Sequence, residues 1–191
     1  MEIGILALQG DFYEHAAILE TLGVKPKLVK LPTDLDGLAG LIIPGGESTT
    51  IGKLAVAYDL MEPLREFGHE HAIWGTCAGA ILLSKDVQND QPLLNLMDIQ
   101  VERNAFGRQV DSFEIDLPVP FLHDGDEIPY HAVFIRAPII KSVSGDTRVL
   151  LSLPDGRIVA ARQGKWLATS FHPELTPDNR FHQYFVEMTT S

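Results

Sequence analysis

Five residues, Gly75-Thr76-Cys77-Ala78-Gly79, hold the only cysteine of the chain. A G-x-C-x-G stretch between a short apolar strand and a helix is the sulfur counterpart of the G-x-S-x-G elbow. There, a strained turn pushes the reactive atom out at the top of a sheet. A thiol at a helix N-terminus also sits where partial positive charge favours thiolate. A lone cysteine is ordinarily a small buried hydrophobe; the flanking glycines and the strand-turn-helix setting argue instead for a nucleophile. Such a nucleophile needs a base, and the base needs an orienting acceptor. Of the seven histidines, His172 alone sits in a sequence that provides one. His172-Pro173-Glu174 directly follows the apolar run 166–170, and an extended His-Pro-Glu sets imidazole and carboxylate on one side of the chain. His15, His69, His71, His123, His131 and His182 have no such partner and are expected on the surface or in loops.

A second glycine-rich stretch, Pro44-Gly45-Gly46-Glu47-Ser48-Thr49, follows an apolar run. It lacks the lysine and spacing of a P-loop, so it gives no support to nucleotide binding. Two uses remain open. It is a tight turn, or its Gly46 amide joins that of Ala78 to form an oxyanion hole beside the nucleophile. His69 and His71 flank Glu70, but no further cysteine or histidine lies near enough to complete a zinc site.

Elements that position these residues are legible from periodicity. Residues 2–9 form a nearly continuous apolar run, as in a strand covered on both faces. Asp11 and Glu14 have capping-box spacing before a helix over 15–22, and Gly23 closes it. Strands follow at 24–31, 38–43 and 71–74, with helices at 48–58, capped by Ser48 or Thr49, and at 61–70. Alternation of this kind implies right-handed crossovers and a doubly wound, mostly parallel α/β sheet with helices on both faces. Ligands of such sheets bind at the carboxyl ends of the strands, so the loops after Leu8, Ile43 and Trp74 should converge.

From Gln91 the texture changes to short segments at 99–103, 109–117, 132–135, 148–153, 157–163 and 166–170, an antiparallel extension. Asp155-Gly156 signals a hairpin there. Thr176-Pro177 opens a last helix over 178–188. No repeat or linker interrupts the sequence, so residues 1–191 read as one domain.

With 15 basic against 26 acidic residues, the formal charge is -11, and no basic cluster marks a nucleic-acid footprint. No run is long enough to span a bilayer, and one cysteine forms no internal disulfide. The N-terminus lacks a signal peptide's basic start. A cytoplasmic location is the expectation.

The elbow, the Pro-Gly-Gly loop and Ser170-Phe171-His172-Pro173-Glu174 together resemble the class I, triad-type glutamine amidotransferases. Adding Leu8-Gln9-Gly10, Arg103-Asn104-Ala105-Phe106-Gly107-Arg108-Gln109 and Phe134-Ile135-Arg136-Ala137-Pro138, the set is similar to the glutaminase subunits of pyridoxal 5'-phosphate synthases. The resemblance implies a three-layer, flavodoxin-like fold. It implies hydrolysis of L-glutamine through a cysteinyl thioester, with Cys77, His172 and Glu174 as the triad. No cofactor and no metal are implied, and the partner is a (β/α)8-barrel synthase subunit that takes up the ammonia. Gly46, Glu47, Ser48, Arg108, Ile135 and Arg136 match the glutamine-contacting positions. Arg108 or Arg136 suits the α-carboxylate and Glu47 the α-ammonium, and Gln9 is a candidate for sensing the partner. Asp11-Phe12-Tyr13 and the loop 123–131 depart from the family's pattern and touch the partner-facing surface rather than the chemistry. The glutaminase of imidazole glycerol phosphate synthase is a rival within the class, but the stretches at 104–108 and 134–138 count against it. A redox-sensing binding protein would have no use for an intact Cys, His and Glu set. A cysteine peptidase would need a peptide groove, and no feature suggests one.

Overall fold

The computed structural model describes residues 1–87, 90–103 and 112–190. The first half alternates as the periodicity demands: β1 (Glu2–Leu6), α1 (Phe12–Thr21), β2 (Lys25–Val29), β3 (Gly40–Ile43), α2 (Ser48–Ala57), α3 (Met61–Glu70), β4 (Ala72–Thr76) and α4 (Ala78–Leu83). Strands then dominate: β5 (Ser84–Val87), β6 (Met97–Glu102), β7 (Ser112–Leu117), β8 (Tyr130–Ile135), β9 (Ile139–Val143), β10 (Arg148–Ser152), β11 (Ile158–Gln163) and β12 (Trp166–Thr169). The helix α5 (Arg180–Met188) is the last element.

Strands β2, β1, β3, β4 and β12 lie side by side in that order, each parallel to its neighbours. This is the flavodoxin-like order, which reverses direction of winding between β1 and β3. Beyond β12 the sheet continues through β11, β9 and β6 in antiparallel pairing, with β5 parallel at the far edge. Asp155-Gly156 turns the β10–β11 hairpin, as the sequence signals. Strands β7 and β8 form a separate antiparallel ladder.

Successive strand residues face opposite sides, and both sides are apolar. Ile3, Ile5, Ile42 and Trp74 pack with Leu19 of α1 and Phe181 and Phe185 of α5. Leu6, Leu41, Ile43 and Ile73 pack with Ile51 of α2, Leu64 of α3 and Leu82 of α4. The three layers expected from the family resemblance are therefore present. Burial on both faces leaves polar chemistry only the strand ends.

Several local expectations are corrected. No side-chain bond from Asp11 caps α1, so the capping-box spacing with Glu14 goes unused. Glu47, rather than Ser48 or Thr49, caps α2, and its carboxylate accepts from the amides of Thr49 and Thr50. A carboxylate one residue ahead of the serine reaches two orphan donors at once, where a hydroxyl would reach one. Helix α5 begins at Arg180, beyond Thr176-Pro177. Periodicity does not signal strands β5 and β9.

Candidate active site

Four strand ends bring the sequence motifs together. Cys77 follows β4 as the N-cap of α4, with φ at +48°, a left-handed conformation that a cysteine adopts only when its surroundings enforce it. They do so here through a bond from the Cys77 amide to the Thr169 carbonyl of β12, 2.8 Å long. Cys77 is 6% exposed, and it opens into a cavity of about 490 Å³ at the carboxyl edge of the sheet. That volume lies in the range of small-molecule pockets.

His172 leaves β12 three residues after its end, and its amide donates to the Val133 carbonyl of β8 at 2.8 Å. Its Nδ1 lies 2.6 Å from Glu174 Oε1, so Nε2 is the nitrogen left for the sulfur. An extended His-Pro-Glu, as the sequence leads one to expect, is not what achieves this. Pro173–Leu175 is a 3-10 turn, and it is this turn that carries the carboxylate back to the ring. Burial lowers the affinity of His172 for a proton, but hydrogen bonding and charge from Cys77 and Glu174 outweigh it and push the imidazole up to about 10. Burial also holds the Glu174 carboxyl above its ordinary range, against the opposing pull of His172. Cys77, His172 and Glu174 therefore form one electrostatic unit.

The loop after β3 forms the opposite wall. The Gly45 carbonyl accepts from the Asp11 amide at 3.3 Å, the Glu47 amide donates to Gln9 Oε1 at 2.7 Å, and Gly46 adopts φ +152°. A Cβ on Gly45 would lie 2.5 Å from His172 Cε1, so only glycine lets this loop approach the ring. Ala78, as the first residue of α4, has an amide without an acceptor inside its own helix. Gln9, Gly46, Ser48, Ala78, Ile135 and Arg136 all line the cavity together with Cys77 and His172. Arg136 also has positive φ, at +43°. Arg108 lies outside the described residues.

Glu47 lines the cavity too, but its carboxylate is fully engaged. Oε1 accepts from the Thr49 amide and from Arg103 Nη2, and Oε2 from the amide and hydroxyl of Thr50. Burial opposes the effect of these donors and loses, leaving the carboxyl lowered to about 2. Arg103, which its sequence motif does not single out as a site residue, also reaches Thr49 Oγ1 at 3.1 Å and Gln91 Oε1 at 3.2 Å. It meets Glu47 from 56 residues away, a distance no local pattern encodes.

Two histidines contradict their expected surface position. His15 and His182 are fully buried, since α1 turns His15 inward one helical turn before Leu19, and α5 buries His182 beside Phe181. Burial keeps both neutral: His15 is lowered well below its ordinary value, and His182 to about 3. His15 Nδ1 and His182 Nε2 meet at 2.9 Å. Among the described residues, one group places three metal-type ligand atoms within 4.8 Å of one another, Asp11, His172 and Glu174. Two of its three members are already bonded to each other. No helix of the described residues is long and apolar enough to cross a membrane.

A flavodoxin-like sheet with thiol, imidazole and carboxylate at its switch-side edge defines the glutamine amidotransferase class. The sequence model of the SNO glutamine amidotransferase family matches residues 5–191, and the chain belongs to that family. It is 59% identical over 97% of its length to the pyridoxal 5'-phosphate synthase subunit PdxT of Herpetosiphon aurantiacus, covering 99% of that protein. The PdxT subunit of Moorella thermoacetica is 54% identical, with 98% of this chain and 99% of that protein covered. A crystal structure of a glutamine amidotransferase superimposes with a TM-score of 0.92 at 50% identity, covering 99% of both chains. A putative GMP synthase subunit from Thermoplasma acidophilum shares the fold, with a TM-score of 0.67 at 20% identity over 100% of this chain and 94% of that one.

Proposed function

We propose that the chain hydrolyses L-glutamine to L-glutamate and ammonia, and that a (β/α)8-barrel synthase subunit uses the ammonia to make pyridoxal 5'-phosphate. The observation that carries this reading is that Cys77 and His172 line one cavity, with Glu174 bonded to the imidazole, in a chain similar from end to end to PdxT subunits. Cys77 thiolate attacks the side-chain carboxamide carbon, and the carbonyl electrons move onto oxygen, held by the amides of Gly46 and Ala78. His172 Nε2–H protonates the departing nitrogen, which leaves as ammonia when the tetrahedral adduct collapses to the thioester. His172 then takes a proton from water, whose oxygen attacks the thioester and releases glutamate and the thiol. Glu174 orients the ring and stabilises its cationic form throughout.

Glutamine selection rests on charge at both ends of the amino acid. Arg108 or Arg136 pairs with the α-carboxylate. Glu47, with its lone pairs already taken, attracts the α-ammonium as a fixed negative charge rather than as a fresh hydrogen-bond acceptor. Arg108→Ala is expected to raise KM for glutamine about 10-fold or more, the effect of losing a charge-assisted bond, and to change kcat less. An unchanged KM would remove Arg108 from the site and leave the carboxylate to Arg136.

Glu47 and Gly45, on either side of Gly46, are bonded to Gln9 and Asp11 of the loop after β1, so a partner that grips this loop moves an oxyanion donor. The chain alone is expected to hydrolyse glutamine slowly and to gain about 10²- to 10³-fold when the barrel subunit is added, the worth of one such donor. The decisive experiment follows amide-15N from glutamine into pyridoxal 5'-phosphate in the reconstituted pair. Glutamine-dependent label in the product is the expected result. Equal glutaminase rates with and without the barrel, and no label, would refute the assignment of partner.

A further inference from the structure

Glu174 has two oxygens, and the triad uses one. Oε1 meets His172, while Oε2 is buried and makes no hydrogen bond within normal limits. A bare carboxylate oxygen in the interior is costly, and it is the group on which the whole unit leans. His15 Nε2 lies 3.4 Å from this oxygen and 3.3 Å from Thr76 Oγ1 at the end of β4. Behind His15, His182 Nε2 sits 2.9 Å from His15 Nδ1, and His182 Nδ1 has no partner.

The tautomers can be assigned by elimination. If His15 carried its proton on Nδ1, it would donate to His182 Nε2. His182 would then bury an N–H with no acceptor, and the His15 lone pair beside the ionised carboxylate could be met only by the Thr76 hydroxyl. With the proton on Nε2, His15 donates toward Glu174 Oε2 and accepts on Nδ1 from His182 Nε2–H. The only group then left unpaired is a lone pair on His182 Nδ1, the cheaper of the two defects. Both rings are buried and neutral, as this arrangement requires.

We propose that His15 is a positioning residue of the glutaminase site, donating from Nε2 to Glu174 Oε2 and itself held in that tautomer by His182. The proposal rests on the triad reading above and extends it inward to α1 and α5. His15 never touches substrate. It keeps Glu174 ionised and fixed, and Glu174 in turn supports the imidazolium of His172. The charged and titratable groups around Glu174 are His172 and Asp11 on the cavity side, His15 and His182 on the core side, Tyr130 of β8, and Cys77 across the imidazole.

The test uses the chain with its synthase partner. His15→Leu keeps volume and removes the donor; His15→Gln keeps an N–H near the place of Nε2. His15→Leu is expected to lower kcat about 10- to 100-fold with KM for glutamine little changed, the usual effect of losing a supporting partner. Its pH profile of kcat/KM should narrow from both sides, because Glu174 protonates at higher pH and His172 loses its proton at lower pH. His15→Gln should restore most of the rate and width. An unchanged profile and kcat in His15→Leu, with Glu174→Gln impaired, overturns the proposal and leaves the triad standing. Wild-type rates in Glu174→Gln would instead defeat the triad itself. Imidazole 15N shifts of the unmodified protein provide a second test that no misfolded variant can confuse. A protonated Nε2 and bare Nδ1 on His15 are expected; the reverse tautomer overturns the proposal.

Discussion

Cys77→Ala is expected to fold, to bind glutamine and to hydrolyse it at least about 10⁴-fold more slowly than the parent chain when both are assayed with the synthase partner present. The size of the loss follows from the division of labour in a triad. Removing the nucleophile leaves oxyanion donors and binding intact but no route to a thioester, and a hydrolase so treated retains only the remnant due to those donors. Lost packing is expected to cost little stability, because the sulfur faces the cavity rather than the apolar layers, so any change near neutral pH reports on charge. A second readout follows from electrostatics. The Cys77 sulfur is a main cause of the raised His172 affinity for protons, together with Glu174, against the opposing effect of burial. Without it, the ring should titrate at lower pH, visible in its NMR shifts. The linkage has a definite sign. A folded-state value raised to about 10 contributes stability that is full below the ordinary range near 6.5 and is lost as pH rises toward 10. Parent and variant should therefore converge in melting temperature at alkaline pH. If Cys77→Ala kept its glutaminase rate, the thioester mechanism would be wrong.

The parts of this site that can be read from sequence are those in which the chemistry is local. Gly75 to Gly79 and His172 to Glu174 each fit within five residues, and each is bounded by a strand whose end fixes its place on the sheet. Periodicity succeeds for the same reason in α3, whose bounds match the expected 61–70. It fails where a residue's role is set by a distant element. His15 belongs to the inward stripe of α1 with Leu19, a spacing visible in the sequence, yet a histidine on that stripe reads as tolerable surface until His182 and Glu174 are seen to meet it. Arg103 reaches Glu47 across the cavity mouth, and Gln91 joins them from a third segment. The cap of α2 is ambiguous in sequence because three successive polar residues, Glu47, Ser48 and Thr49, offer side-chain oxygens, and only the backbone angles decide which one turns back. Among the described side chains of the site, the departures thus lie behind and beside the triad, where long-range contacts set the geometry.

Gly79→Ala is expected to be as damaging to the fold as Cys77→Ala is to the chemistry. A Cβ at Gly79 would stand 2.0 Å from the Ile43 carbonyl oxygen and 2.8 Å from its carbon, both backbone atoms of β3. No side-chain rotation relieves such a contact. Gly75 is packed the same way, since its Cβ would lie 2.4 Å from the Gly79 carbonyl oxygen. Ile43 pairs with Gly75 in the parallel register of β3 and β4, so the elbow is wedged into the strand pair that carries both walls of the cavity. Making room means separating β3 from α4 and dragging Gly45 and Gly46 with it. Overpacking of this kind costs about 3 kcal/mol or more, which in a chain of this size lowers the melting temperature by roughly 6 to 12 °C. Gly164→Ala is the informative control: its φ is +54°, with nothing within 4 Å of the added carbon, so it carries only the conformational cost, about 1 to 2 kcal/mol. Gly79 has no positive φ, so any larger loss there measures space alone. Calorimetry on the two variants separates these effects. Equal melting temperatures would mean that the close packing of the elbow on β3 does not set its geometry, and that the glycines around Cys77 serve some other end.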